Sequence, residues 1–536
     1  MFTAGLSGRG LGVCGRIDRR REQRGHARRT LHGRGGARAE VGRRAPAARL
    51  WFLAAASFSL YCLAFVRNYS LAEWWNWPQR EIGSMAPDGA QGYLRYGLTM
   101  AALFALYLLA LRAAENARGL GPWIAVIGGA ILINAAMLLA YPFTSGDLFE
   151  YIIRGRVASE YGGNPFYDTP SLYPGDPFLY YSWWRYWPSA YGPIWELIAR
   201  SLTRLSGDGV VANAVAFKLA AIAAYAGTAA LIGLNLRATR PSWALRGVAL
   251  FAWNPLVIVE TAGNGHNDSL MVLFVAAGAF LVVKRRYTLA AMAMVLGALV
   301  KFIPALLLPL VLLAAMRDMH GVRRRLGYLL GIGALGAALT VVFYLPFWEV
   351  GSITDLLGVG RRSLLFTTSL PALLWELAAP SLGVVEASRV VSGAALGALV
   401  LWMGWSALRG WKSQELEWFA RAGISVFLFY LLVSVLWFFP WYLLWPLALG
   451  ALLPRGGLQK GVLLFSFSAS LKPAIAYFYY VMLAEGEQLT TVRPEWVLTL
   501  GTMLLPWVFF LGLALRAGAR RAAEAPPGGQ ARAADG

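Results

Sequence analysis

The stretch TLAAMAMVLGALVKFIPALLLPLVLLAA, residues 288–315, decides how this chain is threaded. It is long and apolar enough to cross a bilayer once. Yet Lys284, Arg285 and Arg286 stand just before it, and Arg317, Arg323, Arg324 and Arg325 just after. A single crossing would carry one basic cluster to the far face, against the rule that Lys and Arg stay on the cytoplasmic side. The stretch also contains Lys301 and Pro304. Proline removes a helix hydrogen bond and favours a break just before it. The reading is a re-entrant hairpin, with 288–300 rising, a tip at Lys301–Pro304, and 305–315 returning. Irregular backbone at that depth is tolerated where protein or a wet cavity surrounds it.

The rest of the chain extends the same pattern. It has 536 residues, 58% hydrophobic and only 14% charged, where a soluble protein carries about 25%. The apolar residues fall in blocks at 51–67, 93–112, 122–143, 210–235, 244–261, 269–283, 326–346, 387–408, 422–439, 441–453, 461–480 and 495–515. The fold class predicted is an all-α polytopic membrane protein with about 12 full spans plus the hairpin. Trp and Tyr gather near the block ends, where amphipathic rings settle.

The formal net charge is +21. Residues 1–49 carry 13 Arg against Asp18, Glu22 and Glu40, and most other basic residues occupy short loops. That is the positive-inside pattern, and it excludes a nucleic-acid partner. It predicts a plasma-membrane protein with both termini cytoplasmic. Residues 1–49 read as a disordered basic tail, in part an over-extended start of the reading frame, and 517–536 as a second disordered tail. Cys14 and Cys62 predict neither a disulfide nor a metal site.

This threading puts the long segment 144–209 outside the cell. It opens Thr144-Ser-Gly-Asp147-Leu-Phe-Glu150-Tyr151 and continues through Arg154, Asn164 and Tyr191-Gly-Pro193. Asp147 and Glu150, three apart, share one helical face. A second group, Gly263-Asn-Gly-His266-Asn267-Asp268, reads as a polar turn at the same face. One His and one Asp in a turn are weak grounds for a metal. A third set is cationic: Lys301, Arg361, Arg362 and Lys472. A cation inside a membrane segment is costly and is a functional hypothesis by default. Carboxylates, aromatic rings and cations near one interface fit a reaction on an anionic, lipid-linked substrate. A carboxylate accepts the proton of an attacking hydroxyl, and cations neutralise a leaving phosphate.

The order of these motifs resembles GT-C glycosyltransferases that use polyprenyl-phosphate sugars. It is most similar to polyprenol-phosphate-mannose-dependent mannosyltransferases of the bacterial cell envelope, including glycosyltransferase family 87. The likeness runs from Asp147 and Gly-Asn164-Pro-Phe through Tyr191-Gly-Pro, Gly263–Asp268 and Lys301-Phe-Ile-Pro304 to Phe438-Phe-Pro-Trp441-Tyr442-Leu-Leu-Trp445. It implies two accessory helices in 50–119 and a catalytic domain in 120–516. It implies that Asp147 is the general base, acting with inversion. Glu150, Tyr151, Arg154, Asn164, Tyr191, His266, Asn267, Asp268, Trp441 and Tyr442 would bind the sugars. Lys301, Arg361, Arg362 and Lys472 are candidates for the donor phosphate, chosen by topology. The partners implied are a polyprenyl-phosphate donor and a lipid-linked glycan acceptor. No cofactor is required, and a divalent cation is not indicated. A transporter or flippase shares broken helices and membrane cations, but the chain has no convincing internal repeat.

Overall fold

The computed structural model describes residues 46–76, 90–115, 117–349, 365–409, 415–479 and 494–524. The described residues are helical, with only two isolated β-bridges among them, Ser70 with Ala140 and Thr367 with Trp437. Three apolar helices come first, α1 (Pro46–Val66), α2 (Gln91–Glu115) and α3 (Leu120–Leu138). Two shorter, charge-bearing helices follow, α4 (Asp147–Ser159) and α5 (Pro193–Ser206). Next is α6 (Val210–Thr239), then α7 (Pro241–Ala252) and α8 (Pro255–Gly263), which meet at a 52° bend. Asn254 makes that bend. Its side chain caps the backbone N–H groups of Leu256 and Val257, and Pro255 opens the new helix.

The remaining elements are α9 (Asp268–Val283), α10 (Tyr287–Ala298), α11 (Ile303–Met316), α12 (Val322–Phe347), α13 (Leu370–Leu382), α14 (Val384–Leu408) and α15 (Leu416–Ser434). The chain closes with α16 (Leu444–Ala451), α17 (Gly457–Ser470), α18 (Lys472–Tyr477) and α19 (Pro494–Glu524).

By length and apolarity eight described helices can cross a membrane, or nine if α7 and α8 form one span. The all-helical membrane architecture thus agrees with the sequence reading, while the count of twelve is not reproduced. Proline explains most of the shortfall. Pro440 starts a 3-10 turn that shortens the block at 441–453 to α16, and Pro473 splits 461–480 into α17 and α18. The block at 269–283 forms α9, one of the shorter apolar helices. At the chain ends, α1 starts at Pro46 and α19 runs to Glu524, each reaching into a stretch assigned to a disordered tail. Ala- and Arg-rich sequence is strongly helix-forming. Arg361 and Arg362 lie outside the described residues.

The block 288–315 is interrupted between α10 and α11, and Leu299 and Val300 are buried at the break. Two of the carbonyls that lose helical partners there are satisfied from the 144–209 segment. Gly192 N–H donates to Val300 O (2.9 Å) and Ile194 N–H to Leu299 O (3.1 Å). Contact this close requires glycine, because a Cβ at 192 would sit 2.1 Å from Leu299 O. Both sides are backbone, so neither can swing away. Gly192→Ala is expected to destabilise the protein by about 1–3 kcal/mol, read as a lower unfolding midpoint in detergent. An unchanged midpoint would show that this docking is dispensable.

Candidate functional site

Asp147 is the first residue of α4, and its own N–H is held by Ser145 Oγ at 3.2 Å. The end of α3, a few residues before Asp147, is held by Lys218 of α6. That fully buried ammonium donates to Met137 O (3.2 Å), Leu138 O (3.4 Å) and Ala140 O, capping the end of α3. Lys218 escaped the sequence reading, although a lone cation in the apolar block 210–235 is the signal that singled out Lys301.

Two groups converge on the Asp147 carboxylate. Tyr191 Oη donates to its Oδ2 (3.3 Å), and His266 Nδ1 lies 4.0 Å from the same oxygen. The Asp147 side chain is 20% exposed, whereas that of His266 is wholly buried. Burial pushes the Asp147 carboxyl above its usual range, opposed by the charges of His266 and Lys301 and reinforced by those of Glu150 and Asp268.

The sequence reads 263–268 as a polar turn between two apolar blocks. It is buried throughout: Asn264, His266, Asn267 and Asp268 are each at most 1% accessible. The last turn of α8 widens to a π-turn at Val259–Gly263, and Gly265 adopts φ +70°, which together turn the backbone inward. His266 Nε2 is 3.1 Å from Glu260 Oε2, and its ring stacks on Trp441 with centroids 4.0 Å apart. Asn264 ties the turn together by donating to Glu260 Oε2 (2.7 Å) and to Thr144 Oγ1. Tyr151 Oη donates to Asn267 Oδ1 (3.3 Å) and lies 3.4 Å from His266 Nδ1.

Asp268 faces the helix break. It accepts from Lys301 Nζ (2.9 Å) and from Trp445 Nε1 (2.7 Å). The Lys301 ammonium also sits 4.6 Å above the Tyr442 ring. Asp147, Tyr151, Tyr191, His266, Asn267, Asp268, Lys301, Trp441 and Tyr442 are thus linked by contacts into one group.

Four other residues singled out from the sequence have different surroundings. Glu150 is buried, and its two oxygens accept from Arg154, Ser182 Oγ and the backbone N–H groups of Trp183 and Trp184. Arg154 also donates to the carbonyls of Trp184 and Trp187. This pair organises the Trp-rich loop from inside. Its i, i+4 spacing was legible, but a partner about thirty residues downstream was not. Asn164 Nδ2 donates to Phe347 O (2.7 Å), pinning the segment to the end of α12. Lys472 donates to Phe438 O (2.6 Å) and covers the Phe439 ring at 4.5 Å. Phe439 in turn stacks on Trp441 with centroids 4.5 Å apart, which connects Lys472 to the larger group.

Glu196 is a further buried carboxyl behind Tyr191. Ser189 Oγ donates to its Oε1 (2.5 Å) and accepts from the N–H of Tyr191 (3.1 Å). Burial pushes Glu196 up to about 7, against the pull of Ser189 and Arg154. An acid raised this way holds a proton in the folded state that the unfolded chain has lost. Stability therefore declines as pH climbs from about 4.5 to about 7. Glu196→Gln is expected to flatten that decline in the unfolding midpoint of the detergent-solubilised protein. An equal decline in both proteins would place the linkage elsewhere.

Residues 53–317 match the family described as alpha-(1->6)-mannopyranosyltransferase, N-terminal domain. The chain is 28% identical over 232 residues to alpha-(1->6)-mannopyranosyltransferase A of Corynebacterium glutamicum, covering 40% of this chain and 46% of that relative. It is 25% identical over 338 residues to alpha-(1->6)-mannopyranosyltransferase A of Mycobacterium tuberculosis, covering 59% and 63%. It is 27% identical over 168 residues to alpha-(1->6)-mannopyranosyltransferase B of Corynebacterium glutamicum, covering 30% and 25%. The chain therefore spans less than two thirds of the length of each of these relatives. Through residues 53–317, just under half of its length, the chain is similar to the family described as alpha-(1->6)-mannopyranosyltransferase, N-terminal domain, in keeping with the glycosyltransferase resemblance of its motifs.

Proposed function

We propose that this chain transfers mannose from a polyprenyl-phosphate donor to a lipid-linked glycan acceptor, with inversion, at the outer face of the plasma membrane. The observation that carries this reading is the environment of Asp147. It is a partly exposed carboxylate at the head of a helix, among groups that are otherwise buried and paired. Its raised pKa makes it a stronger base than a free aspartate. The names of the relatives favour mannose and an alpha-(1->6) linkage.

In this mechanism Asp147 Oδ2 takes the proton of the acceptor hydroxyl, and Tyr191 and His266 hold the carboxylate in place. The hydroxyl oxygen attacks the anomeric carbon in line. The bond from that carbon to the phosphate oxygen breaks, and polyprenyl phosphate leaves with both electrons. A beta-linked donor gives an alpha product. Lys301, 12% exposed and held by Asp268, is the candidate for neutralising the leaving phosphate. Arg361, Arg362 and Lys472 remain alternatives for that role by topology. The threading that goes with this reading has about twelve crossings, cytoplasmic termini, and a re-entrant hairpin with its tip at Lys301–Pro304. The family asks for no cofactor.

Incubation of the reconstituted protein with polyprenyl-phosphate mannose and a mannose-bearing acceptor is expected to yield an alpha-(1->6)-linked product by mass and linkage analysis. Movement of lipid across the bilayer without a new glycosidic bond would favour the flippase reading. Asp147→Asn should lower kcat by 10²–10⁴-fold, the usual contribution of a general base, with unfolding unchanged. Full activity would remove Asp147 from that role. Activity needs ionised Asp147, so kcat/KM should rise with pH along a limb above the ordinary aspartate value of about 4. A limb at or below that value would contradict the raised pKa. A reporter fused after His320 should read cytoplasmic, and an external reading would rule out the hairpin.

A further inference from the structure

The geometry points to a binding cleft for an anionic glycerophospholipid between the end of α11 and the start of α12. An open cavity of about 610 Å3 lies there, lined by Leu313, Met316, Arg317, Val322, Arg325, Leu326 and Leu329. Five of these side chains are apolar and two are guanidinium groups. The composition suits an amphiphile, with acyl chains against the walls and a phosphate on the arginines.

Three observations support this occupant over others. First, both cations are held in place by the protein. Arg317 stacks on Trp418 at 4.9 Å, and Arg325 Nε donates to Met319 O at 2.9 Å. A phosphate would meet guanidiniums that have already lost much of their conformational freedom. Second, the local charge is one-sided. Arg323 and Arg324 stand beside Arg325, and the single acid between Lys301 and Trp348 is Asp318. Asp318 is itself 3.5 Å from Arg285. An acyl chain under a neutral headgroup would leave this charge unanswered.

Third, the apolar wall continues into the outward face of α12. Val322, Leu326 and Leu330 are 81%, 53% and 65% exposed. Only 11% of the apolar window of α12 is buried, the lowest value among the eight candidate spans. The bundle itself covers little of this helix, so lipid chains are its natural neighbours. An acidic peptide would match the arginines and leave those walls bare. The cleft lies at the basic end of α11 and α12, away from Asp147, so the inference does not rest on the proposed reaction.

The test uses the full-length protein in detergent. Phosphatidylglycerol, phosphatidylcholine or inorganic phosphate is added, and retained lipid is read by native mass spectrometry alongside the unfolding midpoint. Phosphatidylglycerol should be retained in preference to phosphatidylcholine and should raise the midpoint, while inorganic phosphate alone should do neither. Arg325→Gln, on an exposed helical turn, should reduce the preference about fivefold. Arg317→Ala with Arg325→Gln should reduce it by about a further fivefold. Leu326→Trp keeps both charges and fills the cleft, and should also lower retention. Equal retention of the two lipids by the wild type overturns the inference. So does a midpoint shift by inorganic phosphate equal to that by phosphatidylglycerol, which would mean a bare anion site. An unchanged preference in the arginine variants, or a second copy of the chain in place of lipid, overturns it as well.

Discussion

A broken helix in a membrane must have its freed carbonyls answered, and this structure is arranged around one such answer. Between α10 and α11 the backbone leaves the helix at Leu299 and Val300. Their carbonyls find N–H partners in Ile194 and Gly192, more than a hundred residues upstream. In hydrocarbon an unmet carbonyl costs several kcal/mol, so the break and the 144–209 segment stabilise each other. The same contact places Tyr191 beside Asp147 and puts Lys301 against Asp268. One backbone requirement thereby brings together the acid, the aromatic groups and the cation.

Around this junction the polar side chains are buried and mutually paired. Glu150 is spent on Arg154 and on the loop at 182–184, Asp268 on Lys301 and Trp445, and Lys218 on the end of α3. Each removal would leave a charge or an acceptor stranded in a low dielectric, which explains how such a site can be both rigid and costly. Asp147 differs because its carboxylate keeps partial access to solvent while feeling the charges of His266 and Lys301. In the proposed mechanism a group in that setting exchanges a proton with the acceptor without dismantling the network.

Several features were legible along the chain because they depend on local composition. The apolar blocks, the interruption of the block at 288–315, and the placing of Asp147 and His266 towards one face follow from hydropathy, proline chemistry and the scarcity of polar residues near the membrane. Residues whose surroundings depend on a distant partner were not legible in the same way. Glu150 looked like a companion of Asp147 because helical spacing was the only geometry in view. Its true partners include backbone N–H groups at 183 and 184. Lys218 was overlooked because an isolated lysine in a long helix has no local motif, although the cost of burying it was a usable signal.

The amino-acid sequence by itself determined that this is a helical membrane protein with an acid at the head of the 144–209 segment and a break in the block at 288–315. Those properties depend on apolar length and on a proline within a few residues, both of which act locally. Only the tertiary structure decided that the 263–268 turn is buried rather than exposed. It alone decided that His266 stands between Asp147 and Glu260, and that Lys301 pairs with Asp268. Those outcomes depend on which distant groups can satisfy a buried charge or carbonyl, and that is fixed by how the helices pack.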